Sequence, residues 1–486
     1  MSFKEKTISG ITWSAVDSLA NQGVHFIVGI VMANYLLPRE YGLIGMTAIF
    51  MAISNTFISS GFSSALIRKN DCTQADYSTV FYYNLGMGLL FYAILFFSAG
   101  IIADFFDEPL LKPIVRILGL DLVINSLTII QSTTLTKRLD FKLKARITAI
   151  AGIISGIVGI LMACNGFGVW SLVARMILMA FFNSFFLWVW NRWKPSLEFS
   201  ITSFKELFGF GSKLLASALI DTVYKNIYYI IIGKYFSAQE LGYYTRAQMF
   251  KNLPIDQMNT IMGRVTYPVL SQMRDNPVIL KGAYRRMIMS TTFLSFTIMA
   301  IMAAVAEPMI ITLIGENWST SIVYLQMLCF VGMLHPLQTL NLNMLNVQGR
   351  SDLFLKLEII KKTLALPTII IGVIFGIKIM IAGMMLNSII EYYLNSYWSG
   401  EMVNYPMREQ VKDILPAFLL ALFIGIVAYI TGLFIPLSYF PLLLLQLFIG
   451  LSLIITISEI LRLSSYLYIK ETAIDKIKSI INARRK

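Results

Sequence analysis

With 486 residues, 57% of them hydrophobic and only 14% charged, this chain is too apolar for a soluble enzyme and reads as a polytopic membrane protein. Its net charge of +13 would suit a nucleic-acid binder if the basic residues shared one solvated face. Instead they punctuate hydrophobic runs, a pattern that orients a chain in a membrane, so no nucleic-acid partner is expected. Cys72, Cys164, Cys329, His25 and His335 lie far apart without metal-ligand or disulfide spacing, and the sequence calls for no metal, redox group or other cofactor.

Runs of about 20 residues, enough to cross roughly 30 Å of hydrocarbon, can be placed fourteen times. They fall near 9–35, 41–67, 78–103, 113–136, 145–164, 167–190, 206–236, 241–270, 285–314, 319–346, 356–376, 379–400, 413–435 and 440–462. The first holds Asp17, Asn21, Gln22 and His25, too long and too polar for a signal peptide's apolar core, so it is expected to stay in the mature protein. Alternate connections then collect the basic residues: Arg68 and Lys69; Lys137, Arg138, Lys142, Lys144 and Arg146; Arg192, Lys194 and Lys205; Arg274, Lys281, Arg285 and Arg286; Arg350, Lys356, Lys361 and Lys362; Arg408 and Lys412. The opposite loops hold only Arg39, Lys112, Lys234 and Lys378, and one of them carries the acidic stretch Asp104 to Glu108. The basic loops are expected in the cytoplasm, and so are both termini. No connection leaves room for a large extracytoplasmic domain.

The chain repeats itself at an offset of 200 residues: Ala-Asn-Tyr35-Leu-Leu-Pro38-Arg-Glu40-Tyr-Gly42 against Gly-Lys-Tyr235-Phe-Ser-Ala238-Gln-Glu240-Leu-Gly242. The same offset pairs Asn21 with Asp221 and His25 with Lys225. An even number of spans separates the copies, so they share one orientation, which makes this a parallel repeat about an axis along the membrane normal. The expected fold is an all-α membrane protein of about 14 transmembrane helices. It divides into an N-lobe of six helices over 1–192, a cytoplasmic linker over 193–205, a pseudo-symmetric C-lobe of six over 206–400, and two extra helices over 401–464. A basic amphipathic tail over 465–486 would lie along the anionic inner leaflet, a plainly solvated tail being the alternative. The transport site is expected between the lobes.

Charges inside apolar spans are costly and mark pathways. Asp17, Asn21 and His25 recur every four residues on the first span, and Lys213, Ser217, Asp221 and Lys225 do the same on the seventh, each set on one helical face. By the helical rise, Lys225, Lys251, Arg175 and His25 fall roughly 12 to 16 Å below the outer boundary. Lys213 and Arg264 lie nearer the cytoplasm and Arg246 nearer the outside, so the cations form a ladder suited to a polyanionic head group. Internal pairing, as of Asp221 with Lys225, or snorkelling of Arg246 and Arg264 near helix ends, is the plainer reading of these groups. Asp17, Asn21, Asp221, Asp256 and Glu391 are candidates to bind a coupling Na+ or proton, with simple charge compensation as the alternative. Pro254 and Pro336 should kink their helices. No P-loop, nucleophile elbow or catalytic cluster is present, so no catalytic residue is assigned.

Several segments together resemble a known family. They are Lys4 to Ser14, Leu37-Pro38-Arg39-Glu40-Tyr41-Gly42-Leu43-Ile44, Gly61 to Ile67, Leu139-Asp140-Phe141-Lys142, Gly166 to Val173 and Leu241-Gly242-Tyr243-Tyr244-Thr245-Arg246-Ala247. Their number and order resemble Wzx-type polysaccharide transporters of the multidrug/oligosaccharidyl-lipid/polysaccharide exporter superfamily, the colanic-acid and teichuronic-acid types above all. The likeness runs from residue 4 to about 275 and thins beyond. It implies a V-shaped, two-lobed flippase working by alternating access around a cationic cavity. Such a protein moves lipid-diphosphate-linked oligosaccharide repeat units from the cytoplasmic to the outer leaflet of a bacterial inner membrane, with membrane lipids and a polysaccharide polymerase complex as candidate partners. Arg175 departs from the family's usual glutamine and points to a substrate-specific role. A multidrug or other amphiphile exporter is the alternative. A membrane glycan polymerase or ligase is disfavoured, because the outer loops are short and poor in Arg, His and carboxylates.

Overall fold

A computed structural model describes residues 22–59, 61–69 and 71–484. Every regular element among them is helical. In chain order they are α1 (22–35), α2 (Pro38–Ser59), α3 (Phe62–Arg68), α4 (Gln74–Phe106), α5 (Leu111–Leu118), α6 (Leu120–Ser126), α7 (Ile129–Lys137), α8 (Phe141–Cys164) and α9 (Val169–Asn191). Then follow α10 (Ile201–Tyr235), α11 (Ala238–Gln272), α12 (Pro277–Ala304), α13 (Ala306–Ile314), α14 (Thr320–Val347), α15 (Ser351–Phe375), α16 (Ile377–Met402), α17 (Met407–Phe434), α18 (Tyr439–Ile460) and α19 (Ser464–Arg484).

Local chemistry sets these boundaries. Thr73 opens α4 with a capping box: its hydroxyl accepts from the Asp76 amide at 3.2 Å, and the Asp76 carboxylate accepts from the Thr73 amide at 2.9 Å. Asp140, Ser200 and Asn276 cap α8, α10 and α12 through the side chain alone, each accepting from the amide three residues on, and Pro277 begins α12, where a missing amide proton costs nothing. Gly376, at φ 102°, separates α15 from α16. Replacing Thr73 with Ala should lower stability by about 1 kcal/mol, read as a shift of the thermal midpoint of the detergent-solubilised protein. Restoring a cap with Ser at that position should recover most of it.

Eleven helical runs among the described residues are long and apolar enough to cross a membrane. Their outward faces are apolar: Phe97, Ile101, Phe434 and Phe448 are all strongly exposed, a surface that suits lipid and not water. Three of the expected spans are not among the eleven. The span at 9–35 lies partly outside the described residues, while α11 and α15 are continuous helices that carry several charges each. The span expected at 113–136 is a succession of three short helices, α5 to α7, broken near Gly119 and Leu127. That at 285–314 is interrupted at Val305. Pro254 and Pro336 sit inside continuous helices.

The chain forms two compact units, Met1–Thr245 and Arg246–Lys486. In the first, α10 packs antiparallel along α2 and α3, with Thr222 meeting Thr56 at 3.1 Å and Gly211 against Gly61. The connection 192–200 is pinned by bonds from Gln131 to the Trp193 carbonyl, from Ser196 to Ser78 and from Ser200 to Thr79. Packing therefore joins residues 201–245 to the first unit, although the sequence repeat divides the chain at 193–205. The repeat also meets itself there. A Cβ on Gly42 would lie 1.6 Å from the Ala238 carbonyl oxygen, and one on Gly242 would lie 1.8 Å from that of Pro38, so the first turns of α2 and α11 cross glycine to backbone, reciprocally.

In the second unit α12 is central, packing on α14 and α17, while α15 packs on α16. Helix α19 packs partly on α12 and α18: Tyr466 and Ile469 join the apolar cluster of Phe293, Ile301, Val305 and Ile424. Lys470 pairs with Glu459 at 2.7 Å, and that carboxylate holds its ammonium above the ordinary lysine range.

Candidate functional site

In the first unit a stripe of glycines on α8 admits α1 at close range. Gly152 faces Val24, Gly156 faces Val28, and Gly159 faces Met32 and the Cβ of Arg175. That approach brings His25 of α1 against Arg175 of α9, whose guanidinium donates to His25 Nδ1 at 2.8 Å. Guanidinium cannot accept a hydrogen bond, so Nδ1 is the acceptor and His25 serves here as a polar partner of the arginine, not as a second cation.

On α10, Lys225 and Asp221 form the i, i+4 ion pair at 2.7 Å, with side chains 71% and 50% exposed. They sit within the apolar span Leu214–Tyr235. An ion pair left exposed inside an apolar span is costly against hydrocarbon, and this is the face of α10 that a watery pathway would suit.

In the second unit Lys251 of α11 is only 8% exposed. Its stem lies 3.2 Å from where a Cβ of Gly332 on α14 would stand, beside Ile255 and Met299, and Asp256 is within electrostatic reach. Arg246 is as deeply buried; its guanidinium stands 5.7 Å from the Trp318 ring and 2.9 Å from the Met249 sulfur. Asp256 is exposed on the same helix, and Glu391 is half-buried on α16. Asp17, Asn21 and the side chains of Lys213 and Arg264 lie outside the described residues. Among the described residues no three His, Cys, Asp or Glu groups gather as metal ligands.

Several polar groupings escaped the sequence reading because their members are far apart in the chain. Lys69 lies 3.2 Å from Asp76 and 3.0 Å from Glu206, whose hydrogen bond holds the lysine above its usual range. The Tyr284 hydroxyl, buried among α12, α14 and α16, bonds Asn341 at 2.5 Å and Ser399 at 3.2 Å. Asn259 on α11 meets His335 on α14 at 3.2 Å. Arg285 grips Asp413 through two bonds of 2.6 Å, and Asp413 also accepts from Tyr405. Only the i, i+4 spacing of Asp221 and Lys225 announced its pair in advance.

The family profile described as "Polysaccharide biosynthesis protein" matches residues 31–323, more than half of the chain. The chain belongs to the polysaccharide biosynthesis protein family. It is thus a multi-pass helical membrane transporter of polysaccharide biosynthesis, and it resembles other members along most of its length. It is 23% identical over 432 residues to the teichuronic acid biosynthesis protein TuaB of Bacillus subtilis strain 168, covering 88% of this chain and 89% of that one. It is 24% identical over 443 residues to the lipopolysaccharide biosynthesis protein WzxC of Escherichia coli K12, covering 89% of each. Among solved structures it is similar to the lipid II flippase MurJ in an inward closed conformation, with a TM-score of 0.77, 16% identity and coverage of 93% of this chain and 98% of that one. At that identity the last likeness speaks for the fold alone. Of the candidate cations among the described residues, Arg246 and Lys251 are buried, Arg175 is partly buried and donates to His25, and Lys225 is exposed beside Asp221.

Proposed function

We propose that the protein is a flippase that carries polyprenyl-diphosphate-linked oligosaccharide repeat units from the cytoplasmic to the outer leaflet of a bacterial inner membrane. The repeat units would serve exopolysaccharide, capsule or O-antigen assembly. The observation that carries this reading is the burial of Lys251 and Arg246 in apolar surroundings of a polysaccharide biosynthesis protein. Burying cations among apolar side chains costs desolvation, and it offers charge-assisted hydrogen bonds to a phosphate group taken out of water. Arg175 with His25, and Lys225 on its exposed face, would receive the same head group at other stages of its passage, with Lys213 and Arg264 extending the series. Asp221, Asp256 and Glu391 are the carboxylates proposed to couple transport to a Na+ or proton gradient, together with Asp17 and Asn21. Both termini are proposed to lie in the cytoplasm, and a polysaccharide polymerase is the proposed partner at the outer face. No catalytic step is involved.

The test is reconstitution into vesicles with a labelled polyprenyl-diphosphate oligosaccharide, scored by its exposure to an external glycan-cleaving enzyme, with and without ion gradients. Protein-dependent exposure is expected, and Lys225→Ala should reduce it at least tenfold, about 1.4 kcal/mol. Transport of cationic drugs without any exposure of several lipid-linked glycans would replace this reading with a multidrug exporter.

A further inference from the structure

The turn after α3 presents Lys69 to two carboxylates of unequal standing. Asp76 is almost fully buried and already committed to the capping box of α4, whereas Glu206, on α10, is 59% exposed. Lys137 donates to the carbonyls of Leu66 and Lys69, so the backbone carrying the cation is pinned from α7. Beside the pair, Arg68, Lys69, Ala65, Glu206 and Leu207 line a cavity of about 290 Å³.

We propose that this cavity captures the diphosphate of a lipid-linked substrate in place of the Glu206 carboxylate, and that the exchange releases α10 from the turn after α3. The inference rests on the flippase reading above. Its logic is charge balance. Lys69 lies against two carboxylates, Asp76 and Glu206, while Arg68 lines the cavity and the Lys137 ammonium stands behind on backbone carbonyls. An arriving diphosphate would meet like charge at Glu206, the carboxylate on the cavity wall, unless it departs. Asp76 is held by its cap, so Glu206 is the one that leaves. Phosphate oxygens accept from a guanidinium fork and an ammonium as a carboxylate does, with more charge, and an exposed ion pair holds weakly enough to be displaced. Below the pair, Phe204 and Phe208 of α10 stack on each other at 5.3 Å and pack against Phe62 and Tyr83. The exchange therefore loosens a charged contact over an apolar seam that stays closed.

The experiment measures binding of farnesyl diphosphate to the purified full-length protein in detergent, with inorganic pyrophosphate as competitor. Glu206→Gln should bind farnesyl diphosphate about tenfold more tightly than the unmodified protein, Glu206→Asp should match it, and Lys69→Met should bind about tenfold more weakly. Pyrophosphate should compete, but with lower affinity. Unchanged affinity in Glu206→Gln with a lowered thermal midpoint would make the pair a structural tie and overturn the proposal, as would undiminished binding by Lys69→Met. Pyrophosphate binding as tight as that of the lipid would assign the site to a free diphosphate and overturn it too. Translocation of lipid-linked oligosaccharide with no affinity change in Glu206→Gln defeats this inference alone. Affinity changes as expected without any translocation defeat the flippase reading instead.

Discussion

Gly42→Ala should destabilise the protein by about 2 to 3 kcal/mol and cut transport severely, and Gly242→Ala should do nearly the same. The new methyl carbon would stand 1.6 Å from the Ala238 carbonyl oxygen in the first case and 1.8 Å from that of Pro38 in the second. Neither obstacle is the far end of a flexible side chain. Backbone must move by more than an ångström, and the first turns of α2 and α11 can make room only by separating. Because one separation relieves both collisions, the double variant should cost little more than the worse single variant, a marked departure from additivity. Thermal unfolding of the four proteins in detergent measures this cycle. Additive losses would show that the two glycines serve separate contacts.

Lys251→Met should leave stability unchanged or raise it by about 1 kcal/mol, while lowering transport at least tenfold. Methionine keeps the apolar stem that packs near Gly332 and Met299 and removes an ammonium that, at 8% exposure, forms no hydrogen bond or ion pair among the described residues. A residue kept for stability would behave in the opposite way, losing thermal midpoint on substitution. The measurement pairs a melting curve with the vesicle assay on the same preparation. A lower midpoint with full transport would remove Lys251 from the transport path. Arg175→Met differs in a useful respect, because it orphans the His25 nitrogen that accepts from it. Some loss of stability is expected there alongside the loss of transport, and Arg175→Met with His25→Phe should recover the stability but not the transport.

Hydropathy and charge made most of the helical fold legible in the sequence, because a span needs only enough apolar length and its polar backbone satisfies itself internally. The breaks were less legible. The three helices α5 to α7 read as one span, and together they do form one run of membrane length; the turns near Gly119 and Leu127 left no mark on its apolar composition. The site divides along the same line. Asp221 and Lys225 are neighbours on one helix, and their pairing followed from spacing alone. Arg175 and His25 are 150 positions apart, and they meet because α8 offers glycines where α1 must approach. Depth along the membrane placed the two at one level, but level does not specify contact.

By itself, then, the sequence determined that this is a multi-pass helical membrane protein, that cations recur inside its spans, and that its first part is echoed 200 residues later. All three are properties of a one-dimensional pattern of hydropathy, charge and similarity. Only the tertiary structure decided which cations are buried and which pair on an exposed face, that Glu206 reaches Lys69, and that residues 201–245 pack with the first unit. It also decided that the two copies of the repeated motif touch through Gly42 and Gly242. The physical reason is that a helix in lipid needs no specific partner to form, whereas close approach, ion pairing and burial depend on which helices find each other, and nothing in local composition records that choice.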